Sequence, residues 1–180
     1  MTRERGSLVL AMMALVLLGA LGASLVILAS TEMQVAGNYA LAQEAIYAAE
    51  AGLEIALHEL ATVADWDAIR AGPMLSAFVD GSPGGDRELS DGSLLNLADV
   101  TARLDTRGWR LFAFGPLNRL QRENDRHSTA YVIVWVGGDP HGNPTVLALR
   151  AEAFGPGGTR RAVEAMVSQG QGMLSWNEVR

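Results

Sequence analysis

Three groups of side chains have the types and spacing to do chemistry. Glu50, Glu54 and His58 recur every four residues, which on a helix stacks two carboxylates and an imidazole on one face. Such a set can hold a metal, but no second ligand cluster accompanies it. A solvated face with a Glu54–His58 pair accounts for the same residues, so no metal site is expected. Asp80, Asp86 and Asp91 in "DGSPGGDRELSDG" offer the oxygen ligands that calcium favours. Their spacing does not follow the EF-hand loop, and exposed turn residues explain them better; calcium in loop 80–93 stays an open question. Asp125, His127 and Ser128 suggest a hydrolytic triad. Triad members meet in space rather than as sequence neighbours, however, and no G-x-S-x-G elbow occurs. "GPGGT" is glycine-rich but lacks the lysine of a phosphate-binding loop. The expectation is a protein without catalytic activity, cofactor or small-molecule substrate.

Composition narrows the classes further. There is no Cys, which removes disulfides, thiolate catalysis and cysteine zinc sites. The formal net charge is −6, and every one of the 14 basic residues is Arg. An acidic chain lacks the basic footprint of nucleic-acid binding, and Arg160–Arg161 alone do not make one. Hydrophobic residues make up 49% of the chain, which directs attention to a local apolar block.

That block follows "MTRERG". From Ser7 to Ala29 no charge occurs, and about 20 apolar residues in a helix span the roughly 30 Å hydrocarbon core. Arg3 and Arg5 lie before it and Glu32 after it, so the positive-inside rule puts the N-terminus in the cytoplasm. A secretory signal has a shorter apolar region and a small-residue cleavage site after it, and a buried core helix is shorter too. A retained transmembrane helix fits best. Gly19 with Ala23, and Ala20 with Ser24, have the small-xxx-small spacing that lets helices approach closely in lipid. The general abundance of glycine in membrane helices explains these residues equally well.

The helical pattern continues past the span. "MQVAGNYALAQEAIYAAEAGLEIALHEL" is rich in Ala, Leu, Glu and Gln, all good helix formers. Ile46, Ala49, Leu53, Ala56 or Leu57, and Leu60 follow one helical face. Gly37–Asn38 marks a weak point rather than a terminus. The whole would be a helix of roughly 50 residues, about 80 Å long, which suggests a coiled coil, a membrane span or an assembly element.

A charged leader ending in Gly6, the uncharged run, "MQVAGN" and "AIYAAEAGLE" together resemble the N-terminal region of type IV minor pilins of the PilX kind. They are also similar to minor pseudopilins of type II secretion. The resemblance implies cleavage by a prepilin peptidase between Gly6 and Ser7, with N-methylation of the new terminus at Ser7. It implies residence in the inner membrane with the C-terminal part in the periplasm. Assembly with other major and minor pilins through the N-terminal helix would follow, at the tip or along a filament. One departure stands out. Most major pilins carry Glu at the fifth mature position; here that position is Ala11. An unpaired carboxylate in lipid is costly, so its absence eases membrane residence but removes a register-setting ion pair. An initiating or tip role is the expectation.

The implied organisation is a leader at 1–6, a transmembrane and filament-core helix at 7–29, its periplasmic continuation at 30–62, and a globular domain at 63–180. In that domain "DWDAIRAGP" predicts a short helix capped by Asp65, and "MLSAFVDG" another helical turn. Residues 80–93 and 115–129 predict loops. "ADVTARLDT" reads as a strand through Val100, Ala102 and Leu104. "WRLFAF", "AYVIVWV", "TVLALRAEAF" and "RRAVEAMVS" predict further strands joined by turns, and "MLSWNEVR" an edge strand or docked tail with Trp176 as a packing anchor. Four or five antiparallel strands with one face covered by the long helix give an α+β, pilin-like fold.

Overall fold

The computed structural model describes residues 2–71, 74–105, 108–120 and 129–179. Helix α1 runs Thr2–Leu60 and passes through Gly37–Asn38 without ending. The chain divides into two compact units, Met1–Ala40 and Leu41–Arg180.

In the first unit every described side chain from Ser7 to Ala40 is exposed. The apolar window here has a mean hydropathy of 2.5, and the helix is long and apolar enough to cross a membrane.

In the second unit, residues 41–60 of α1 form one layer over a sheet. A five-stranded antiparallel meander lies in the order β3 (Arg110–Pro116), β4 (Tyr131–Gly138), β5 (Val146–Phe154), β6 (Arg160–Ser168), β7 (Gly172–Val179). Period-two alternation decides which face each residue takes. Val132, Val134 and Val136 of β4, Leu147, Leu149 and Ala151 of β5, and Val163, Ala165 and Val167 of β6 join one core with α1. From α1 that core takes Ala45, Ala48, Ala49, Leu53, Ala56 and Leu60. The packed face is therefore richer in alanine than the predicted stripe; Ile46 and Leu57 are only half-buried.

The reason is a close approach. A Cβ built on Gly52 would lie 2.3 Å from Val132 Cγ1 and 3.3 Å from Val134 Cγ2. The helix sits so near the sheet that glycine is required at that point.

The opposite face of β3 and β4 carries a second core of Phe114, Tyr131, Ile133 and Trp135, completed by Leu97, Val100 and Leu104. These last three belong to a helix, α3 (Leu97–Asp105), where a strand was predicted. Val100, Ala102 and Leu104 alternate, but Leu97, Val100 and Leu104 also fit the helical spacing i, i+3, i+7. The tie is broken by Asn96, whose Oδ1 accepts the Asp99 N–H at 3.0 Å and caps the helix.

Two other segments differ from expectation. Residues 74–80 are extended rather than helical. The Ser76 N–H donates to the Phe112 carbonyl at 2.8 Å, the Phe114 N–H to the Phe78 carbonyl at 3.0 Å, and Val79 bridges Phe114 in parallel. The outer edge of β3 supplied those unpaired backbone groups. Within the loop predicted at 80–93 lies a strand, β1 (Asp86–Glu88), which pairs antiparallel with β2 (Leu94–Asn96) just after it. Of the loop predicted at 115–129, residues 115–116 end β3, Leu117–Leu120 form a 3-10 turn, and 121–128 lie outside the described residues. The short helix α2 (Trp66–Ala71) was foreseen, with Asp65 Oδ1 accepting the Asp67 N–H at 2.9 Å.

Candidate functional site

The sheet consumes one face of α1 between residues 41 and 60. Between Ser7 and Ala40 nothing in its own unit covers the helix. Leu8, Leu10, Leu15, Val16, Leu25 and Val26 are each more than half exposed. So continuous an exposed apolar surface exceeds what a monomeric soluble chain tolerates and marks an interaction surface. Two of its hydroxyls bond back to the helix. Ser24 Oγ donates to the Ala20 carbonyl at 2.8 Å, and Thr31 Oγ1 to the Ile27 carbonyl at 3.0 Å. Neither hydroxyl therefore carries an unmet donor into an apolar surrounding. Gly19 and Ala23 lie on this stretch. A Cβ on Gly19 or Gly22 would meet nothing within 4 Å, so the space beside them is open to a second helix. Gly6 and Ser7 are both helical, and Ala11 is exposed with no acidic residue between Ser7 and Glu32.

Below this surface, polar side chains tie the packed half of α1 to the sheet. Glu44 Oε1 accepts the Thr129 N–H at 3.2 Å and the Thr129 hydroxyl at 3.3 Å. Glu59 Oε1 accepts the Ser76 hydroxyl at 2.8 Å and the Ala77 N–H at 3.2 Å. At the end of the helix the Trp66 indole N–H reaches the Leu60 carbonyl at 3.3 Å, and Gln169 Nε2 the Ala64 carbonyl at 2.8 Å. Glu44 and Glu59 lie off the apolar stripe of the sequence; only the arrival of chain 76–77 and residue 129 reveals their task.

The chemical candidates from the sequence are dispersed. Glu54 and His58 are exposed and do not pair with each other, and Glu50 is half-buried. Among the described residues, no group of three or more His, Cys, Asp or Glu side chains is placed to hold a metal. Asp80, Asp86 and Asp91 serve separate partners. Asp80 pairs with Arg87 at 3.6 Å and Asp86 Oδ1 accepts Asn96 Nδ2 at 2.7 Å. Asp91 Oδ1 accepts the Ser93 hydroxyl at 2.6 Å and N–H at 3.0 Å, while Oδ2 accepts the Gly157 N–H at 2.8 Å. The Ser93 hydroxyl, then the Ser93 and Gly157 amides, pull the Asp91 pKa down from 3.8 to about 2. Asp125, His127 and Ser128 lie outside the described residues. Trp176 is 44% exposed on β7 and lines a shallow groove with Tyr47, Glu50, Glu54 and Met173, so only part of its ring packs.

Sequence reasoning passed over Arg87. Its guanidinium donates to the Asp80 carbonyl at 2.7 Å, the Ser82 carbonyl at 2.6 Å and the Gly84 carbonyl at 3.2 Å. It also stands 5.9 Å from the Phe114 ring centroid. One planar fork thus gathers the whole 80–87 loop, a task lysine could not perform in its place.

A long N-terminal apolar helix whose later turns pack on a C-terminal antiparallel sheet defines a pilin-like α+β architecture. Residues 6–54 match the family model described as PilX N-terminal. That segment is similar to the N-terminal region of PilX-like type IV pilins. No curated protein and no solved structure matches the chain.

Proposed function

We propose that this chain is a minor pilin whose role is structural: it takes part in assembly, initiation or tip formation of a type IV pilus. The observation that carries this is the uncovered apolar helix from Ser7 to Ala40 within a segment matching PilX-type pilins. In this reading residues 1–6 are a leader removed by prepilin peptidase between Gly6 and Ser7, and Ser7 becomes the methylated terminus. Residues 7–29 first span the inner membrane, N-terminus in the cytoplasm. They then enter a filament core of similar helices, with Gly19 and Ala23 at close contacts. Residues 30–62 continue the rod in the periplasm and 63–180 form the displayed domain. The partners are other major and minor pilins and the peptidase; no catalytic group, cofactor or nucleic acid is needed.

Ala11 favours a starting or capping position. No carboxylate stands there to pair with a neighbour's terminal amine, so register along a shaft loses one determinant.

Mass spectrometry of purified, sheared filaments tests the proposal. The expected result is a peptide beginning at methylated Ser7. Recovery of the chain only from membranes, with Met1 or Thr2 at its start, in cells that process their other pilins would overturn it in favour of a tethered binding module. Deletion separates the related role in type II secretion: loss of pili supports the pilus, and loss of exported folded enzymes supports the pseudopilin.

A further inference from the structure

The five-stranded sheet leaves its two edges in different states. At β3 the chain covers its own edge: the Ser76 N–H donates to the Phe112 carbonyl, and the Phe114 N–H to the Phe78 carbonyl. Beyond β7 no described segment pairs, and every residue from Gly172 to Glu178 is exposed. An open edge is a row of unpaired backbone donors and acceptors, which natural sheets blunt with proline, lysine, inward-pointing charge or a bulge. β7 has neither proline nor lysine. Its acid, Glu178, is already paired with Arg161 at 3.7 Å. One irregularity occurs: Met166 pairs with Ser175 and Val167 with Met173, so Leu174 is the extra residue of a bulge. After it, residues 175–179 keep unbroken register with β6 and form a straight template.

The side chains beside that template specify its complement. Val163, Ala165 and Val167 belong to the core with α1, so their register partners Glu178, Trp176 and Met173 share that side of the sheet. There a groove of 490 Å³ is lined by Tyr47, Glu50, Leu53 and Glu54 of α1 and by Met173 and Trp176 of β7. Tyr47 is 65% exposed, and with the Trp176 ring it offers apolar surface to a newcomer. Glu50 and Glu54, one helical turn apart, give the groove an acidic wall. Among the described residues neither carboxylate has an ion-pair partner. A strand laid along β7 would project alternate side chains towards this groove, apolar ones meeting the rings and basic ones the carboxylates. A second copy paired through the same residues would bring Trp176 and Glu178 to that side, an acid where the wall requires a base. The chain's net charge of −6 opposes such self-pairing further. We propose that β7 and this groove capture an extended basic segment of another protein as a sixth strand, apolar and basic residues alternating along its α1-facing side. The site uses no residue of 7–40 and does not depend on the assembly role.

The full chain in zwitterionic micelles is titrated with a fluorescein-labelled, end-blocked peptide, Thr-Arg-Thr-Val-Thr-Arg-Thr, and followed by anisotropy. Saturable binding is expected, and the same peptide with Glu in place of both Arg should bind at least about tenfold more weakly. Successive N–H groups of a strand point to opposite edges, so N-methylation of the inner Thr amides blocks one edge and of the Arg amides the other. One methylated peptide should lose at least about tenfold in affinity and the other stay within about threefold of the parent. Glu50→Gln and Glu54→Gln should each weaken binding about two- to fivefold while the melting curve is kept. Glu88→Gln, an exposed acid on β1, should leave binding unchanged. Absence of saturable binding, preference for the acidic peptide or equal affinities of the two methylated peptides overturns the proposal. So does a Glu88→Gln loss equal to that of the groove variants, or self-association of the chain that the peptide does not displace.

Discussion

Replacing Gly52 by alanine sets two ordinary effects against each other, and the structure determines which wins. In an isolated helix Gly→Ala stabilises by about 1 kcal/mol, because alanine is the better helix former. Here the new methyl would lie 2.3 Å from Val132 Cγ1, against roughly 3.5–4.0 Å for a comfortable carbon pair. Val132 and Val134 are both fully buried, and valine is stiff at χ1, so the overlap cannot be relieved by swinging a long side chain into solvent. Inserting a methylene into a packed core costs about 1–3 kcal/mol, and an overlap this deep belongs at the upper end. Subtracting the helix gain leaves a net loss of about 2 kcal/mol, or a melting temperature lowered by about 4–8 °C. Tryptophan fluorescence is a suitable probe because Trp66, Trp109, Trp135 and Trp176 all lie in the Leu41–Arg180 unit. Urea and thermal melts of the full chain in micelles then report that unit and not the exposed apolar helix. A double-mutant cycle sharpens the test: in a Val132→Ala background the space is vacated, and Gly52→Ala should become neutral or stabilising by up to about 1 kcal/mol. A Gly52→Ala protein that melts at or above the parent temperature would refute the close-approach argument. So would a cycle with no coupling.

The Asp91 carboxyl should titrate with a midpoint near 2 by carbon-detected NMR, and Ser93→Ala should raise it towards 3.8. Because the folded pKa is depressed, its contribution to stability is complete above 3.8 and disappears as the pH falls through about 2. Arg87→Ala should release the 80–87 segment, raising amide exchange there by about tenfold to a hundredfold while the five-stranded sheet stays protected. If exchange in that segment were unchanged, the loop would not depend on the guanidinium. Gly19→Leu or Ala23→Leu should leave the membrane level of the protein unchanged and reduce its share in sheared filaments, read by immunoblotting. Equal incorporation would remove these two positions from the helix contacts.

The sheet and its covering helix were legible because their signals are local. Four runs of alternating or continuous β-branched and aromatic residues are bounded by Gly, Pro and Asn turns, and each strand pairs with its sequence neighbour. The alanine-rich half of α1 was equally readable as a packing face. Helix α3 was missed because Val100 and Leu104 satisfy both periods, and the deciding cap, Asn96, precedes the segment on a strand of its own. Residues 74–80 were misassigned because their hydrogen bonds come from β3, more than thirty positions later. The interaction surface at 7–40 was visible as hydropathy. The groove beside β7 was hidden because Tyr47 and Trp176 stand more than a hundred positions apart and meet only through the order of the strands. The carboxylate groupings that suggested a metal dissolved for the converse reason: proximity in sequence did not become convergence in space.

The order β3-β4-β5-β6-β7 is also the order in which the polypeptide is synthesised. A chain exported in the order of its synthesis, its N-terminus held in the cytoplasm, would deliver residues 41–60 of α1 before any of these strands, and each later strand would find its only earlier neighbour already in position. The meander can therefore close like a zip from one side, without searching for distant partners, which favours rapid maturation. Truncations from the far end should consequently shorten the zip tooth by tooth, with β7 the most dispensable, whereas an interruption at β4 would strand everything that emerges after it.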